Sequence, residues 1–212
     1  MQQRVHRSTV TGVPYHDVEG ARAAIGAWVF PRTWLDFETI GFALPRWVGM
    51  RPYAQAPFQF SAHVEAADGH IEHREFLSLD GSDPRRGCAE ALRALIPDEG
   101  AIIAYNAPFE RGCIRDLAAA FPDLAEVLDR LNDRLVNLLP VTRNHWYHRD
   151  QRGSWSIKAV LPRISTMARW LCRMACKPSK PISKPLTRNA VRSVGKPLMR
   201  GCASIADATP RQ

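Results

Sequence analysis

The sequence has no apolar run of the roughly 18 to 20 residues that a helix needs to cross a bilayer. The segment MQQRVHRSTVTG, with which it begins, also lacks the apolar stretch of a secretory signal peptide. From these two absences we expect a cytoplasmic protein that has no membrane partner.

Cysteine is scarce, and its spacing follows no repeat. The five cysteines are Cys88, Cys113, Cys172, Cys176 and Cys202. An odd number without a repeated spacing indicates neither a disulfide framework nor a zinc module. The i, i+4 spacing of Cys172 and Cys176 fits one helix face, but no second pair matches it, so it predicts no metal site.

Acidic residues are almost absent from the end of the chain. Residues 1–162 contain 18 of the 29 Lys and Arg residues and 20 of the 21 Asp and Glu residues, whereas residues 163–212 contain the other 11 and Asp207 alone. The net charge of +8 therefore comes from this end of the chain. Its prolines interrupt any regular element, so residues 163–212 are predicted to form an irregular, basic tail.

Residues 31–162 have the strand and helix patterns that are typical of an α/β domain. Alternating or continuous short apolar runs predict strands, and helical spacing predicts helices. The predicted strands are 33–37, 58–64, 71–79 and 101–105, and the predicted helices begin near Asp83 and cover about 110–120 and 124–139. Their order predicts a mixed sheet with helices on its faces.

The first candidate site residues are Asp36 and Glu38, at the end of a predicted strand. On a strand, residues i and i+2 point to the same side with Cα atoms roughly 6.5 Å apart, so both carboxylates face one cleft while Phe37 points into the core. The pair of hard cations used in phosphoryl transfer needs such carboxylates. The same pattern is common at strand ends without a catalytic role, so it is weak evidence by itself.

The second candidate is the segment YNAPFE, residues 105–110, directly after a short apolar strand. It brings Asn106 and Glu110 to the carboxyl edge of the sheet, where open α/β sheets bind ligands. The alternative is structural: Asn106 caps a helix, Pro108 occupies its first turn, and Glu110 interacts with the positive end of the helix dipole. Taken alone, the segment fits both interpretations.

Together, the two motifs resemble the DEDD superfamily of 3′–5′ exonucleases, which carry D-x-E on the first strand, N-A-x-F-D after a later strand, and a final Asp. The longer series TWLDFETI, RPYAQAPFQFSAH, AYNAPFER and GSWSIKAVLP resembles a bacterial family of domains of unknown function that is related to those exonucleases. The resemblance covers residues 31–162. It implies an RNase H-like α/β fold, a mixed five-stranded sheet flanked by helices.

The resemblance also implies a site. Asp36, Glu38 and Glu110 would be the catalytic residues and would hold two Mg²⁺ or Mn²⁺ ions, which suit an all-oxygen site. Glu110 stands where the superfamily usually has Asp, and Asn106 would help to position the substrate. The implied reaction is hydrolysis of a phosphodiester bond at a single-stranded 3′ end of DNA or RNA.

Other side chains, among them the following four, are candidates for contact with nucleic acid. Lys158 would bind phosphate, although isolated basic residues are usually only solvated. Trp155 would stack on a base or pack in the interior. Gln55 and Phe58 would touch a nucleotide, with core packing as the alternative for Phe58.

The fourth carboxylate of the superfamily site has no clear counterpart. Asp207 is the only acidic residue in the region where it is expected, and Asp150 has a suitable spacing from His145 but comes too early in the chain. Residues 167–185, back-translated and read one base earlier, permit the family's own pattern. The tail is therefore expected to be a frameshifted reading, a hypothesis that gene codons incompatible with the shifted frame would exclude.

Residues 1–30 are expected to be an N-terminal extension, the remnant of the larger upstream region of longer family members. Three functions remain open. The chain is an exonuclease impaired by the loss of its last motif, a non-catalytic protein that binds nucleic acid with its cationic tail, or an inactive truncated fragment. Loss of one metal ligand is expected to lower the rate about 10²-fold or more.

Overall fold

The computed structural model of the chain describes residues 1–160. The tail expected for residues 163–212, with Asp207 and the frameshift hypothesis, lies outside the described residues. The helices are α1 (Gln2–Thr11), α2 (Val18–Gly26), α3 (Pro84–Leu95), α4 (Ala107–Ala120), α5 (Ala125–Asp133), α6 (Leu138–His145) and α7 (Ile157–Val160), with a 3₁₀ helix at Arg149–Gln151. The strands are β1 (Tyr15–His16), β2 (Arg32–Ile40), β3 (Ala56–Glu65), β4 (Ile71–Leu77), β5 (Ile102–Ala104), β6 (Leu135–Asn137) and β7 (Trp146–Tyr147).

Five strands form a mixed sheet in the order β4-β3-β2-β5-β6. β2, β5 and β6 run parallel to one another, and β3 runs antiparallel to both β2 and β4. The expected α/β class and mixed five-stranded sheet are therefore confirmed. Because β2, β5 and β6 run in the same direction, the segments that follow them lie at the same edge of the sheet.

Alternation along β2 assigns its side chains to the two faces of the sheet. Leu35 and Phe37 are buried, while Asp36 and Glu38 are exposed on the opposite face. The Phe37 ring packs edge-on against Phe60 of β3 at a centroid distance of 6.1 Å. Burial of Leu35 and Phe37 on one face thus directs the side chains of Asp36 and Glu38 to the other face.

Helices α3, α4 and α5 cover the face of the sheet that carries Leu35 and Phe37. The prediction of a helix near Asp83 is confirmed: the Asp83 carboxylate accepts a hydrogen bond from the backbone N–H of Arg85, and Pro84 occupies the first turn. Helix α3 buries Cys88 and Leu92 against the sheet. Among residues 1–160, no helix combines the length and the hydropathy that a membrane crossing requires.

The opposite face of the sheet is covered at its β5–β6 end by α2 and α6. Ile25, Ile103 and Leu138 form a small core there, with Trp34 packed against it. Residues 1–30 contain α1, β1 and α2, and β1 pairs with β7. The Nδ1 atom of His145 lies 2.9 Å from the carboxylate of Asp17, which links the start of α2 to the end of α6.

The helix predicted over residues 124–139 is wrong near its C-terminal end, at residues 135–137. The structure has α5 there, then strand β6, and then α6. Three residues of β6 pair with β5 in parallel, and Leu135 is buried in the main core. This pairing outweighs the helical spacing of the apolar residues. The strand was not predicted because three residues are too short a pattern to be recognised in the sequence.

We expect Gly100→Ala to destabilise the protein much more than Gly69→Ala. Both glycines have positive φ, +83° and +88°, so alanine costs roughly 1 to 2 kcal/mol at either position. A Cβ atom at Gly100 would also overlap the carbonyl oxygen of Pro31, whereas one at Gly69 meets open space. Urea unfolding should therefore give a loss about 2 kcal/mol larger for Gly100→Ala. Equal losses would contradict the close approach of the two segments.

Candidate active site

Asp36 and Glu38 lie in the second half of β2, on the face of the sheet opposite to the main core. Partial dehydration by the surrounding protein raises the pKa of Asp36, and the negative charge of Glu38 raises it further. Both effects disfavour the ionised form of Asp36. The two carboxylates are therefore close enough to repel each other, as their i, i+2 spacing on a strand requires.

Glu110 lies in the first turn of α4, the helix that begins after β5, and it is only 4% exposed. Burial raises its pKa to about 7; a backbone hydrogen bond opposes this effect, and the negative charge of Asp36 adds to it. Its Oε2 atom is buried and has no hydrogen-bond partner within the described part of the chain. The fold thus brings Glu110 within electrostatic reach of Asp36.

Asn106 occupies the N-cap position of α4, but its side chain makes no capping hydrogen bond. Its backbone carbonyl instead accepts a hydrogen bond from the N–H of Phe109 at 2.9 Å. Pro108 and Glu110 are both in the first turn, as the structural interpretation of the segment requires. The capping role assigned to the Asn106 side chain in that interpretation is absent, and this exposed amide lies at the same edge of the sheet as Glu110.

The segment that contains Trp155 and Lys158 is held at the end of β5. The Tyr105 hydroxyl donates a hydrogen bond to the Trp155 carbonyl oxygen at 2.8 Å. Burial raises the pKa of Tyr105 to about 12, against the opposing charge of Arg143, so this hydroxyl keeps its proton. Trp155 packs against Tyr147 with ring centroids 5.7 Å apart, and Lys158 is exposed on α7.

Asp150, the early candidate for a fourth carboxylate, belongs to the 3₁₀ helix. Its carboxylate lies 3.7 Å from Nδ1 of His148 and 3.9 Å from Nε of Arg149. Both groups are close enough to interact electrostatically with the carboxylate. Asp150 therefore takes part in the local structure of the 3₁₀ helix.

Sequence reasoning overlooked two side chains at this edge, Tyr105 and Phe109. Tyr105 ties residue 155 to the strand end, and Phe109 is 39% exposed immediately before Glu110. Both are within the YNAPFE segment. Their position between a buried strand and a carboxylate could have indicated that they lie at the site. The sequence does not show, however, which of the two aromatic rings is exposed.

The three acidic side chains suit a hard divalent cation in their chemistry. They supply only oxygen atoms, they repel one another, and Glu110 has an unpartnered oxygen. Within residues 1–160, however, no three or more His, Cys, Asp or Glu side chains are grouped closely enough to hold a metal ion. Asp36, Glu38 and Glu110 are the residues to which the resemblance assigns a cation.

A family model described as a domain of unknown function (DUF2779) matches residues 33–156. The matched range includes Asp36, Glu38, Asn106 and Glu110, and it stops before Lys158. No curated protein matches the chain, and no solved structure matches it.

We expect the stability of the wild type to fall relative to Glu110→Gln as the pH rises. The pKa of Glu110 rises from its ordinary 4.5 to about 7 on folding, so the native state binds a proton more tightly than the unfolded chain. This contribution is complete below pH 4.5 and is lost as the pH rises through 7. It amounts to at most about 3 kcal/mol.

Urea unfolding of both proteins in EDTA, at several pH values from about 4.5 to 8, measures this difference. The control is Asp129→Asn, which removes an exposed carboxylate of α5. Its unfolding free energy should follow the pH profile of the wild type. A Glu110→Gln profile parallel to that of the wild type would show that Glu110 ionises normally in the folded protein.

Proposed function

We propose that this chain, which belongs to the DUF2779 family of domains of unknown function, is a metal-dependent 3′–5′ exonuclease-like domain. It hydrolyses phosphodiester bonds in DNA or RNA. Its substrate is the single-stranded 3′ end of a nucleic acid, and Asp36, Glu38 and Glu110 are its catalytic residues. Mg²⁺ or Mn²⁺ is the required cofactor.

The observation that carries this proposal is the presence of carboxyl groups without cationic partners on β2 and after the carboxyl end of β5. Neither Asp36 nor Glu110 has a cationic side-chain partner within residues 1–160. A structural ion pair would provide such a partner, and an anion-binding site would not place carboxylates together. Groups of carboxylates with raised pKa values are typical of functional sites that bind cations or move protons.

Bound divalent cations would supply an activated water and would stabilise the leaving oxygen. The residues of the chain provide the rest. Asp36 and Glu38, held by a central strand, and Glu110, held by a helix N-terminus, fix the anionic ligands on rigid elements. The exposed amide of Asn106 can bind a nucleotide at the same edge, and the ammonium group of Lys158 attracts phosphate.

The resemblance to the DEDD exonucleases supports the same proposal. Several separated motifs agree in their order along the chain, and the carboxylates lie on the first strand of the main sheet and after a later strand. The mixed five-stranded sheet is the scaffold that the resemblance implies. Without the last motif of the superfamily, we expect a rate about 10²-fold or more below that of a complete site.

We expect weak release of mononucleotides from 3′-labelled single-stranded DNA or RNA in Mn²⁺, with no release in EDTA. Asp36→Asn and Glu110→Gln should each reduce the rate at least about 10²-fold, because each removes charge that would stabilise the cations. Asp129→Asn should have the wild-type rate. A substrate with a blocked 3′ end tests the polarity of the reaction and should resist cleavage.

Cleavage that persists in EDTA or in Asp36→Asn would contradict the proposed site. Binding of nucleic acid without any hydrolysis, even at high enzyme concentration, would favour the non-catalytic binding protein. The absence of both would favour the inactive fragment. A frame-corrected version of the chain, assayed in parallel, should hydrolyse the substrate faster than the present chain if the tail is frameshifted.

A further inference from the structure

The loop between β2 and β3, residues 41–55, exposes large apolar side chains. It begins directly after β2, the strand of Asp36 and Glu38. Leu44 is 84% exposed, Val48 96% and Tyr53 72%. Three such side chains in one loop of fifteen residues make this β2–β3 loop a candidate binding surface.

Internal contacts hold the β2–β3 loop in one shape. The backbone N–H of Tyr53 donates to the Phe42 carbonyl oxygen at 2.8 Å, and the Phe42 and Trp47 rings meet edge-on at 5.7 Å. The side chain of Gln55, which was expected to touch a nucleotide, accepts a hydrogen bond from the Thr39 hydroxyl and donates one to the Tyr53 carbonyl. Its amide therefore positions the loop.

Tyr53 adopts an unfavourable backbone conformation, and the packing of its side chain does not offset the energetic cost. Its φ of +59° is in the left-handed region, which costs a residue with a side chain roughly 1 kcal/mol or more. The ring remains 72% exposed, so it contributes little burial to the fold. Strain of this kind persists where the orientation of a side chain serves binding.

The charge of the loop itself complements an anion. No Asp or Glu occurs between Thr39 and Val64, whereas Arg46 and Arg51 are both in the loop. Neither arginine has a carboxylate partner within the part of the chain that the structure describes. The Arg46 guanidinium lies over the Phe42 ring, 5.1 Å from its centroid, which combines a cation with an aromatic face.

A recess between the β2–β3 loop and α4 extends this surface. Its volume is about 230 Å³, and its lining includes Arg51, Cys113 and Asp116. Pockets for drug-sized ligands have volumes of roughly 300 to 1,000 Å³, so this recess suits a smaller group such as one planar base. α4 also carries Glu110 in its first turn, whereas the recess is lined by the later turns of that helix, from Cys113 to Ala120.

We propose that the β2–β3 loop binds single-stranded nucleic acid and leads it to the carboxylates. The ring of Tyr53 stacks on one base, and Arg46 and Arg51 contact the phosphates beside it. Exposed aromatic rings combined with unpaired cations are the features that bind single strands without sequence preference. A duplex keeps its bases stacked on one another and offers no free face to Tyr53.

This inference rests on the proposed function for its choice of substrate, and its test does not require hydrolysis. The full chain is titrated against a fluorescein-labelled oligo(dT) in EDTA, and binding is followed by fluorescence anisotropy. Tyr53→Ala should weaken binding about tenfold, and Tyr53→Phe, which keeps the ring, should bind within about twofold of the wild type. The double variant Arg46→Glu and Arg51→Glu should lose at least tenfold and show a smaller dependence on salt.

Two controls separate the loop from general attraction by the basic tail. Arg93→Glu removes an exposed arginine of α3 and should have a much smaller effect than the double variant. An abasic oligonucleotide of the same length should bind Tyr53→Ala and the wild type equally, because it offers no base to stack on. Thermal unfolding of each variant checks that it is folded, and Arg46→Glu alone provides a second test if Tyr53→Ala is not.

Wild-type affinity in both Tyr53→Ala and the double variant would overturn the inference, as would an equal loss on the abasic strand and on oligo(dT). Loop-dependent binding without metal-dependent hydrolysis would refute the exonuclease proposal and leave the loop inference standing. Metal-dependent hydrolysis that is unaffected in the loop variants would refute the loop inference and leave the exonuclease proposal standing. The two proposals can therefore fail separately.

Discussion

Alternation along β2 is the constraint on which the candidate site depends. Leu35 and Phe37 are buried under α3, α4 and α5, so Asp36 and Glu38 must face the other side of the sheet. Pairing with β3 on one side and β5 on the other fixes this register. A slip of one residue would bury both carboxylates and expose both apolar side chains, so core stability and the direction of the acids are coupled.

Glu110, in contrast to Asp36 and Glu38, is itself buried. Ile114 and Leu117 anchor α4 in the core, and this packing carries Glu110 into a dehydrated position near Asp36. The cost of placing a carboxyl there is met by the packing of the whole helix. A cation bound at the proposed site would offset that cost.

The fold class and the positions of Asp36 and Glu110 could be predicted because they rest on local patterns. Alternation in TWLDF and the apolar run before YNAPFE both report the strands that carry the site. Strand β6 could not be predicted, because three residues gain their conformation from pairing with β5. The burial of Glu110 depends on the packing of α4 against the sheet, and no pattern within the helix records it. The left-handed φ of Tyr53 is equally hidden, since glycine or asparagine is the usual residue there.

Asp36, Glu38 and Glu110 are proposed to hold two divalent cations, and calorimetric titration with Mn²⁺ at pH 7 tests this proposal. Repeating the titration in two buffers of different ionisation enthalpy counts the protons released. We expect the wild type to bind Mn²⁺ and to release protons, because Glu110 must ionise to act as a ligand. Glu110→Gln should bind more weakly and release fewer protons. Absence of binding, or binding with the same affinity and proton release in both proteins, would contradict the claim.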